Sequence, residues 1–171
     1  MEPARYSASE TLRDGRSIAI RALRPADREE LVSAVRRMSD QSIYRRFFSP
    51  KRSFTDQEVA YYVNVDFVNH VALVAVLDED GRTAIVGGAR YVITEPGVAE
   101  VAFAVDDAHQ GQGIGALLMK HLAAIARRCA LKELFAEVLP SNAAMLKVFE
   151  KSGLGVSTKR ERDALHVTLK I

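Results

Sequence analysis

VDDAHQGQGIGA, residues 105–116, is the stretch of the chain that decides the fold. It follows a short apolar run that favours a strand, and the apolar residues after it recur at helical spacing. Three glycines, Gly111, Gly113 and Gly115, therefore lie between a strand end and a helix start. The backbone N–H groups of such a loop, together with the positive end of the helix dipole, can hold a pyrophosphate group.

Three interpretations of this glycine-rich loop differ in their chemistry. A P-loop needs Gly-Lys-Ser/Thr at the helix start, and Gly115-Ala116 stands there instead, which excludes it. A dinucleotide fingerprint matches formally at Gly111, Gly113 and Ala116. That fingerprint expects a parallel βαβ unit after its first strand, and the strand here ends an antiparallel meander. The third interpretation is a loop that only turns a strand into a helix, and the spacing alone leaves it open.

Outward from this loop, the remaining sequence predicts strands and helices around one sheet. Strands are predicted over residues 17–24, 71–77, 83–93, 98–105, 133–138 and 165–169. Helices are predicted over residues 26–39, 41–48, 113–129 and 142–152, and another begins near Thr55, where Glu58 completes a capping box. Tight turns between the middle strands indicate antiparallel pairing. The fold class is therefore mixed α/β, with a single, mostly antiparallel sheet flanked by helices.

Length and composition bear on how the chain is organised. Its 171 residues fit one average domain, and 48% hydrophobic residues can form one core. No repeat, low-complexity stretch or linker divides the sequence. We therefore expect a loosely ordered segment at residues 1–11 and a single domain at residues 12–171.

Charge, apolar runs and cysteine content exclude several function classes. The net charge is +2 without a long block of one sign, which argues against a nucleic-acid partner. The longest apolar run, residues 71–77, is far shorter than the roughly 20 residues that span a bilayer, so no membrane segment is expected. The start of the chain lacks a secretory signal, and a cytoplasmic location is expected. With one cysteine, Cys129, and four scattered histidines, no metal site is predicted.

Two motifs at a fixed separation resemble the GNAT superfamily of acetyl-CoA-dependent N-acetyltransferases. The superfamily pattern Gln/Arg-x-x-Gly-x-Gly/Ala is met by Gln110, Gly113 and Gly115, directly after a strand and before a long helix. The second motif is an Asn, an aromatic residue seven positions later and then a Gly, which NAAMLKVFEKSGL, residues 142–154, satisfies. The resemblance covers about residues 17–170 and implies a GNAT-like fold with a splayed central strand pair.

The resemblance implies that acetyl-CoA binds where the strand turns into the helix, and that CoA is released from the same place. In the superfamily the strand before the loop splays from its neighbour, and its backbone bonds the pantetheine arm and the acetyl carbonyl. Here those groups belong to Phe103, Ala104 and Val105, unless Val105 is only a core residue. An amide near Val105 would act as an oxyanion hole when the tetrahedral intermediate forms. The pyrophosphate would bind the amides of Gln110, Gly111, Gln112, Gly113, Ile114, Gly115 and Ala116.

Asn142 and Phe149 occupy the two other cofactor positions that the resemblance implies. Asn142 would bond the pantetheine, and the alternative is that it only caps its helix. The aromatic residue at position 149 is commonly a Tyr, thought to protonate the departing CoA thiolate, and Phe149 has no hydroxyl. We expect its ring to pack against the thioester, while water, another residue or no general acid serves the leaving group.

Glu100 is the candidate general base. It is the only acid in the apolar strand EVAFAV, residues 100–105, which should face the acetyl group. Its carboxylate could take the proton of an amine directly or through a water, and the alternative is a solvated strand residue. The segments LRDGRSIAIRALRPADREEL and AEVAFAV look like the acetyltransferase domain of bacterial protein lysine acetyltransferases, in which this position holds the catalytic Glu.

The expected function is acetyl transfer from acetyl-CoA to a primary amine, by direct attack in a ternary complex. The second resemblance implies a protein lysine as acceptor, for example on an acyl-CoA synthetase, and a homodimer is compatible with it. A small-molecule amine acetyltransferase and a noncatalytic acyl-CoA-sensing domain are the alternatives.

Other features of the sequence are expected to be structural. Cys129 is expected to be a buried packing thiol at the end of its helix. The pair Arg45-Arg46 is expected to form a solvated helix face, and the aromatic residues beside it, Tyr44 and Phe47, to pack their helix next to the acceptor site.

Overall fold

The computed structural model of the chain describes residues 2–171, which form eight strands and five helices around one sheet. The strands are β1 (Ser7–Thr11), β2 (Ser17–Ala22), β3 (His70–Glu79), β4 (Arg82–Glu95), β5 (Val98–Val105), β6 (Glu133–Val138), β7 (Gly155–Glu161) and β8 (Ala164–Lys170). The helices are α1 (Arg28–Arg37), α2 (Asp40–Phe47), α3 (Asp56–Val63), α4 (Ile114–Arg128) and α5 (Ala143–Glu150).

The sheet has the strand order β1-β2-β3-β4-β5-β6-β8-β7. Every neighbouring pair is antiparallel except β5 and β6, which are parallel. Helix α4 connects these two strands, because a parallel pair needs a long crossover connection. The prediction of a single, mostly antiparallel sheet in a mixed α/β fold is confirmed.

Helices cover both faces of the sheet. In β3 the run from His70 to Leu77 is buried throughout, as expected for a central strand covered on both sides. Helices α4 and α5 pack on one face, where Leu118, Leu122 and Phe149 belong to the larger core cluster. On the opposite face, residues of α1 such as Leu31 pack over a smaller cluster that includes Val74 and Ile85.

Strands β5 and β6 separate soon after they meet. Their parallel pairing is confined to Val98–Glu100 opposite Glu133–Phe135. Beyond it, β5 continues to Val105 paired only with β4, and β6 continues to Val138 paired with β8. The predicted splayed central pair is therefore present, and it leaves one backbone edge of β5 without a strand neighbour over residues 101–105.

Residues 1–11 were expected to be loosely ordered, and this expectation was wrong for the part of the segment that the structure describes. Ser7–Thr11 forms the edge strand β1, which pairs antiparallel with β2 from Ser7 opposite Arg21 to Thr11 opposite Ser17. The polar composition misled because an edge strand keeps one side in solvent and needs few apolar side chains. Met1 lies outside the described residues. The same reason explains why the exposed strand β7 was not predicted.

Cys129 follows the last residue of α4 and is exposed, so the expectation of a buried thiol was wrong. The apolar stripe of the helix ends before it, and the chain turns away at Ala130 with a φ of 60°.

No helix within residues 2–171 is long and apolar enough to cross a membrane.

Candidate functional site

The glycine-rich loop presents the N-terminus of α4 to the cleft between β5 and β6. Gly113 is the residue before the first turn and has a φ of 88°, and Gly111 has a φ of 77°. Both values lie in the left-handed region that glycine adopts without strain. A side chain at either position would point into open space. Because the first N–H groups of a helix have no intrahelical acceptor, the loop offers several donors to an anion.

Hydrogen bonds fix this loop to β5 and to α2. The side-chain amide of Gln110 donates to the carbonyl oxygen of Val105 at 3.1 Å and to the hydroxyl of Ser42 at 3.3 Å. The carboxylate of Asp107 accepts from the amide and hydroxyl of Ser39 and from the hydroxyl of Ser42. Burial raises the pKa of Asp107, but these hydrogen bonds outweigh it and hold the pKa below its usual value.

A second set of contacts supports the loop from the β2–β3 side. Gln112 accepts a hydrogen bond from the guanidinium group of Arg16 at 2.7 Å. The two ring nitrogens of His109 lie 3.0 Å from a carboxylate oxygen of Asp106 and 3.0 Å from one of Glu79. These side chains therefore hold the loop in place, and His109 has both nitrogens engaged within the protein.

Helix α4 approaches the sheet closely at Gly87. A Cβ atom there would lie 3.1 Å from the carbonyl oxygen of Ala104 and 3.3 Å from side-chain atoms of Ile114 and Leu118. Near this position the β3–β4 register shifts, and the carbonyl of Val86 accepts the amide of Asp106 at 2.8 Å. A glycine and a bulge together seat the first turn of α4 against the end of β5.

The structure brings together most of the predicted cofactor residues. Phe103, Ala104 and Val105 lie on the part of β5 that has no strand neighbour on the β6 side. The loop that follows contributes the remaining set, Gln110, Gly111, Gln112, Gly113, Ile114, Gly115 and Ala116, and it lies at the end of that strand. Helix α5 packs against the first turn of α4, since a Cβ atom on Gly115 would lie 3.5 Å from Val148.

Asn142 and Phe149 belong to α5. The side-chain oxygen of Asn142 accepts the amide of Met145 at 3.3 Å, so Asn142 caps this helix, the alternative role that its sequence position left open. Its NH₂ group is a separate donor. Phe149 is 1% exposed, and its ring packs edge to face on Phe103 with centroids 5.8 Å apart. The ring of Phe149 thus packs against β5, the strand whose backbone is predicted to bind the cofactor.

Glu100 is exposed on β5, at the point where β5 and β6 begin to separate. Because side chains alternate along a strand, Glu100 shares a face with Ala102 and Ala104. Both alanines line a cavity of about 430 Å³ beneath α1, α2 and α3. Glu100 therefore lies on the sheet face that holds this cavity, and the α4 and α5 helices pack on the other face.

The walls of the cavity, called here the acceptor cavity, are apolar and aromatic with arginines among them. Phe47, Phe54 and Tyr62 form a cluster with ring centroids 5.2 to 6.3 Å apart. Arg46 and Arg90 lie against these rings and also line the cavity. Each residue retains some exposed area, but its guanidinium end is enclosed. Burial therefore lowers the pKa of both guanidinium groups, and it lowers the pKa of Arg90 to about 10.

Sequence reasoning missed both of these arginines. The expectation of a solvated face for Arg45-Arg46 was wrong, since both side chains are half-buried. Aromatic residues on both sides of the pair, in YRRFF, were the available signal that the helix face is covered. Arg90 is the one charged residue between Thr83 and Thr94 of β4, and its chain neighbours Ala89 and Tyr91 are buried, which was a second signal.

One cluster of metal-ligating side chains lies away from this site. Ligand atoms of Glu137, Glu161 and His166 come within 4.8 Å of one another beside β7 and β8. His166 and Glu137 already contact each other at 2.5 Å. The expectation that the protein works without a metal stays a prediction.

Comparison of this chain with known proteins identifies relatives of it. Residues 41–154 match the Acetyltransferase (GNAT) family. An acetyltransferase of Pseudomonas aeruginosa is 34% identical over 137 residues, which cover 80% of this chain and 74% of that protein. Acetyltransferase Pat of Mycolicibacterium smegmatis is 33% identical over 144 residues, 83% of this chain and 42% of Pat. The crystal structure of the GNAT domain of S. lividans PAT has a TM-score of 0.86 at 35% identity, covering 96% of this chain and 97% of that one.

Proposed function

The chain belongs to the GNAT family and is an N-acetyltransferase, and from that premise we propose that it transfers the acetyl group of acetyl-CoA to a primary amine. The observation that carries the proposal is the separation of β5 from β6 directly before a glycine-rich helix start. An unpaired strand edge can bond an amide-rich chain such as pantetheine, and the helix start can bond a pyrophosphate.

The residues of the cleft fit acetyl-CoA, which supplies an acetyl group activated as a thioester. The amides of the loop and of the first turn of α4, from Gln110 to Ala116, would hold the pyrophosphate. The backbone of Phe103, Ala104 and Val105 would bond the pantetheine arm and the acetyl carbonyl. The NH₂ group of Asn142 would add a donor from α5. An amide near Val105 would stabilise the negative charge that develops on the carbonyl oxygen.

Glu100 would accept the proton that the amine must lose. A lysine side chain has a pKa of about 10.4, so at pH 7 only about one molecule in 2,500 is neutral, which corresponds to roughly 4.6 kcal/mol. A carboxylate on the cavity face of β5 can remove this proton directly or through a water. Direct attack by the amine is the favoured route, because the exposed Cys129 lies at the far end of α4 from the loop.

The resemblance to Pat supports a protein lysine as the acceptor, for example on an acyl-CoA synthetase, although the chain spans less than half of Pat. The proposal includes a cytoplasmic location, supported by the single cysteine, which cannot form an internal disulfide. It includes no nucleic-acid or membrane partner, and a homodimer stays a prediction. A noncatalytic acyl-CoA sensor is the second candidate, because Phe149 offers no hydroxyl to the leaving thiolate.

Thermal unfolding and product analysis test this proposal together. Acetyl-CoA at 100 times its dissociation constant should raise the free energy of unfolding by about 2.7 kcal/mol, and NAD and ATP should not. CoA should then be released when amines and lysine peptides are added. A shift with NAD or ATP but none with acetyl-CoA would contradict the proposed cofactor. Tight acetyl-CoA binding without transfer to any amine would favour the sensor.

A further inference from the structure

Two guanidinium groups in the acceptor cavity lack an acidic partner. Within residues 2–171, the ion pairs of arginine with Asp or Glu include neither Arg46 nor Arg90. Arg90 donates instead to the carbonyl oxygen of Tyr62 at 3.1 Å, and its other contact is the ring nitrogen Nε2 of His70 at 3.0 Å. Burial and the charge of Arg90 lower the pKa of His70 to about 4, so His70 is uncharged at neutral pH.

Aromatic rings lie against both guanidinium groups. The Cζ atom of Arg46 lies 4.8 Å from the centroid of Phe47 and 5.9 Å from that of Tyr62. The Cζ atom of Arg90 lies 4.9 Å from the Tyr62 centroid. A cation–π contact does not use the N–H groups of a guanidinium group as hydrogen-bond donors, so these donors stay available to a ligand. The two groups are thus placed and ordered before any acceptor binds.

The charge balance of the cavity is positive. Five charged residues line it: Arg36, Arg46, Arg52, Arg90 and Asp106. Asp106 contacts His109, and Arg52 pairs with Asp40 outside the cavity. The charge of Glu100 acts on Arg46, but the arginine ion pairs within residues 2–171 do not include one between them. A cavity of this charge repels an acceptor ammonium group unless the acceptor also carries a negative charge.

Burying a cation without an acidic partner is unfavourable in free energy, and a planar anion bound beside the cation offsets this cost. Taking an unpaired charge out of water is unfavourable, and a ligand with a complementary charge recovers that loss on binding. A carboxylate matches the fork of guanidinium N–H groups with two parallel hydrogen bonds. We propose that the acceptor cavity is a carboxylate subsite: the amine that is acetylated belongs to a molecule whose carboxylate binds Arg46 and Arg90, with its amino group toward Glu100.

The carboxylate can come from two sources that share this chemistry. One is a small amino carboxylate, which a cavity of about 430 Å³ can accommodate. The other is an Asp or Glu side chain next to the acetylated lysine of a protein. This inference rests on the proposed acetyl transfer, and binding measurements can separate the two.

The experiment compares matched acceptors with and without the carboxylate. In the small-molecule arm, γ-aminobutyrate and ε-aminocaproate are compared with alkylamines of the same length. In the peptide arm, blocked Asp-Lys and Glu-Lys dipeptides are compared with Asn-Lys and Gln-Lys. The value of kcat/KM is measured for each acceptor with acetyl-CoA. Binding of the same acceptors is measured by calorimetry with CoA present, which needs no turnover.

Wild type should prefer the carboxylate member of a pair by about tenfold or more, since hydrogen bonds between charged groups are worth that much. Arg46→Gln should reduce this preference, measured as the ratio of kcat/KM within each matched pair, to about threefold or less. Arg46→Lys should keep part of it, because the charge remains and the fork is lost. Arg127→Gln, which removes an exposed charge on α4 at the opposite face, should keep all of it.

Transfer without a carboxylate preference, or a preference that survives in Arg46→Gln, would overturn the subsite and leave the acetyltransferase proposal intact. Conversely, if no acceptor is acetylated but carboxylates still bind in an Arg46-dependent way, the subsite stands and the proposed transfer fails. The arm that shows the preference identifies the source of the carboxylate.

Discussion

Asp107 accepts hydrogen bonds from both the amide and the hydroxyl of Ser39, at 3.0 and 2.6 Å. Ser39 is the residue that caps α2, and Asp107 lies in the loop before α4. One carboxylate therefore ties the helix that carries Arg46 to the loop proposed for the pyrophosphate. The proposed acetyl-CoA site and the proposed acceptor site therefore depend on the same carboxylate for their relative position.

Asp107→Asn should weaken this support. Loss of the charge-assisted hydrogen bonds should lower the free energy of unfolding by roughly 1 kcal/mol and raise the KM for acetyl-CoA several-fold. Chemical denaturation and initial rates measure the two effects. Asp40→Asn, at the next residue after Ser39 but exposed, is the control and should change neither value much. Equal effects in both variants would show that α2 is merely destabilised.

Gly113→Ala should impair acetyl-CoA binding beyond its effect on stability. A side chain at a φ of 88° costs about 1–2 kcal/mol, and relief of that strain would redirect the amides at the start of α4. Gly81→Ala in the β3–β4 turn is the matched control, since its φ is 75° and its surroundings are equally open. Both variants should lose similar stability, but only Gly113→Ala should bind acetyl-CoA more weakly by calorimetry. Unchanged affinity would argue against the helix start as the pyrophosphate site.

Glu100→Gln should lower kcat by about 10²–10⁴-fold, the range that general-base catalysis contributes. The affinity for acetyl-CoA should change little, because the carboxylate lies on the cavity face of β5. Glu95→Gln, which removes an exposed carboxylate near the β4–β5 turn, should retain wild-type turnover. If Glu100→Gln keeps more than about a third of wild-type turnover on the true acceptor, Glu100 is only a solvated strand residue.

His70 should make the protein less stable in mild acid. Its folded-state pKa of about 4 lies below the ordinary value of 6.5, so folding favours the neutral ring. The contribution is complete above pH 6.5 and is lost as the pH falls through 4. Relative to His70→Gln, wild type should lose roughly 3 kcal/mol of unfolding free energy across that window. Urea denaturation at several pH values measures the difference, and parallel curves for the two proteins would contradict it.

Periodicity and turn residues predicted most of the fold, because core strands and amphipathic helices carry strong patterns. Helix α3 begins with the predicted capping box, in which Thr55 and Glu58 satisfy each other's backbone amides. The strands that were missed, β1 and β7, lie at the sheet edges, where one-sided solvent exposure removes the apolar signal. Pairing with a neighbour, which no local pattern records, orders both of them.

The candidate site was predictable only where it follows a local motif. Gln110, Gly113 and Gly115 lie within six consecutive residues, so their motif could be identified directly. Arg46 and Arg90 are far apart in the chain and meet only because α2 and α3 fold over β4. Their lack of acidic partners is a property of the tertiary structure, which no sequence motif expresses.

The most direct measurement follows an isotopically labelled acetyl group from acetyl-CoA by mass spectrometry of both acceptor and protein in a single turnover. The account predicts that the label appears on the amine of the acceptor, at a rate that falls in Glu100→Gln, and that no labelled acetyl accumulates on Cys129 or elsewhere on the chain. Label trapped on the protein before the amine is added, or acetyl-CoA that binds and passes its label to no amine, would contradict it.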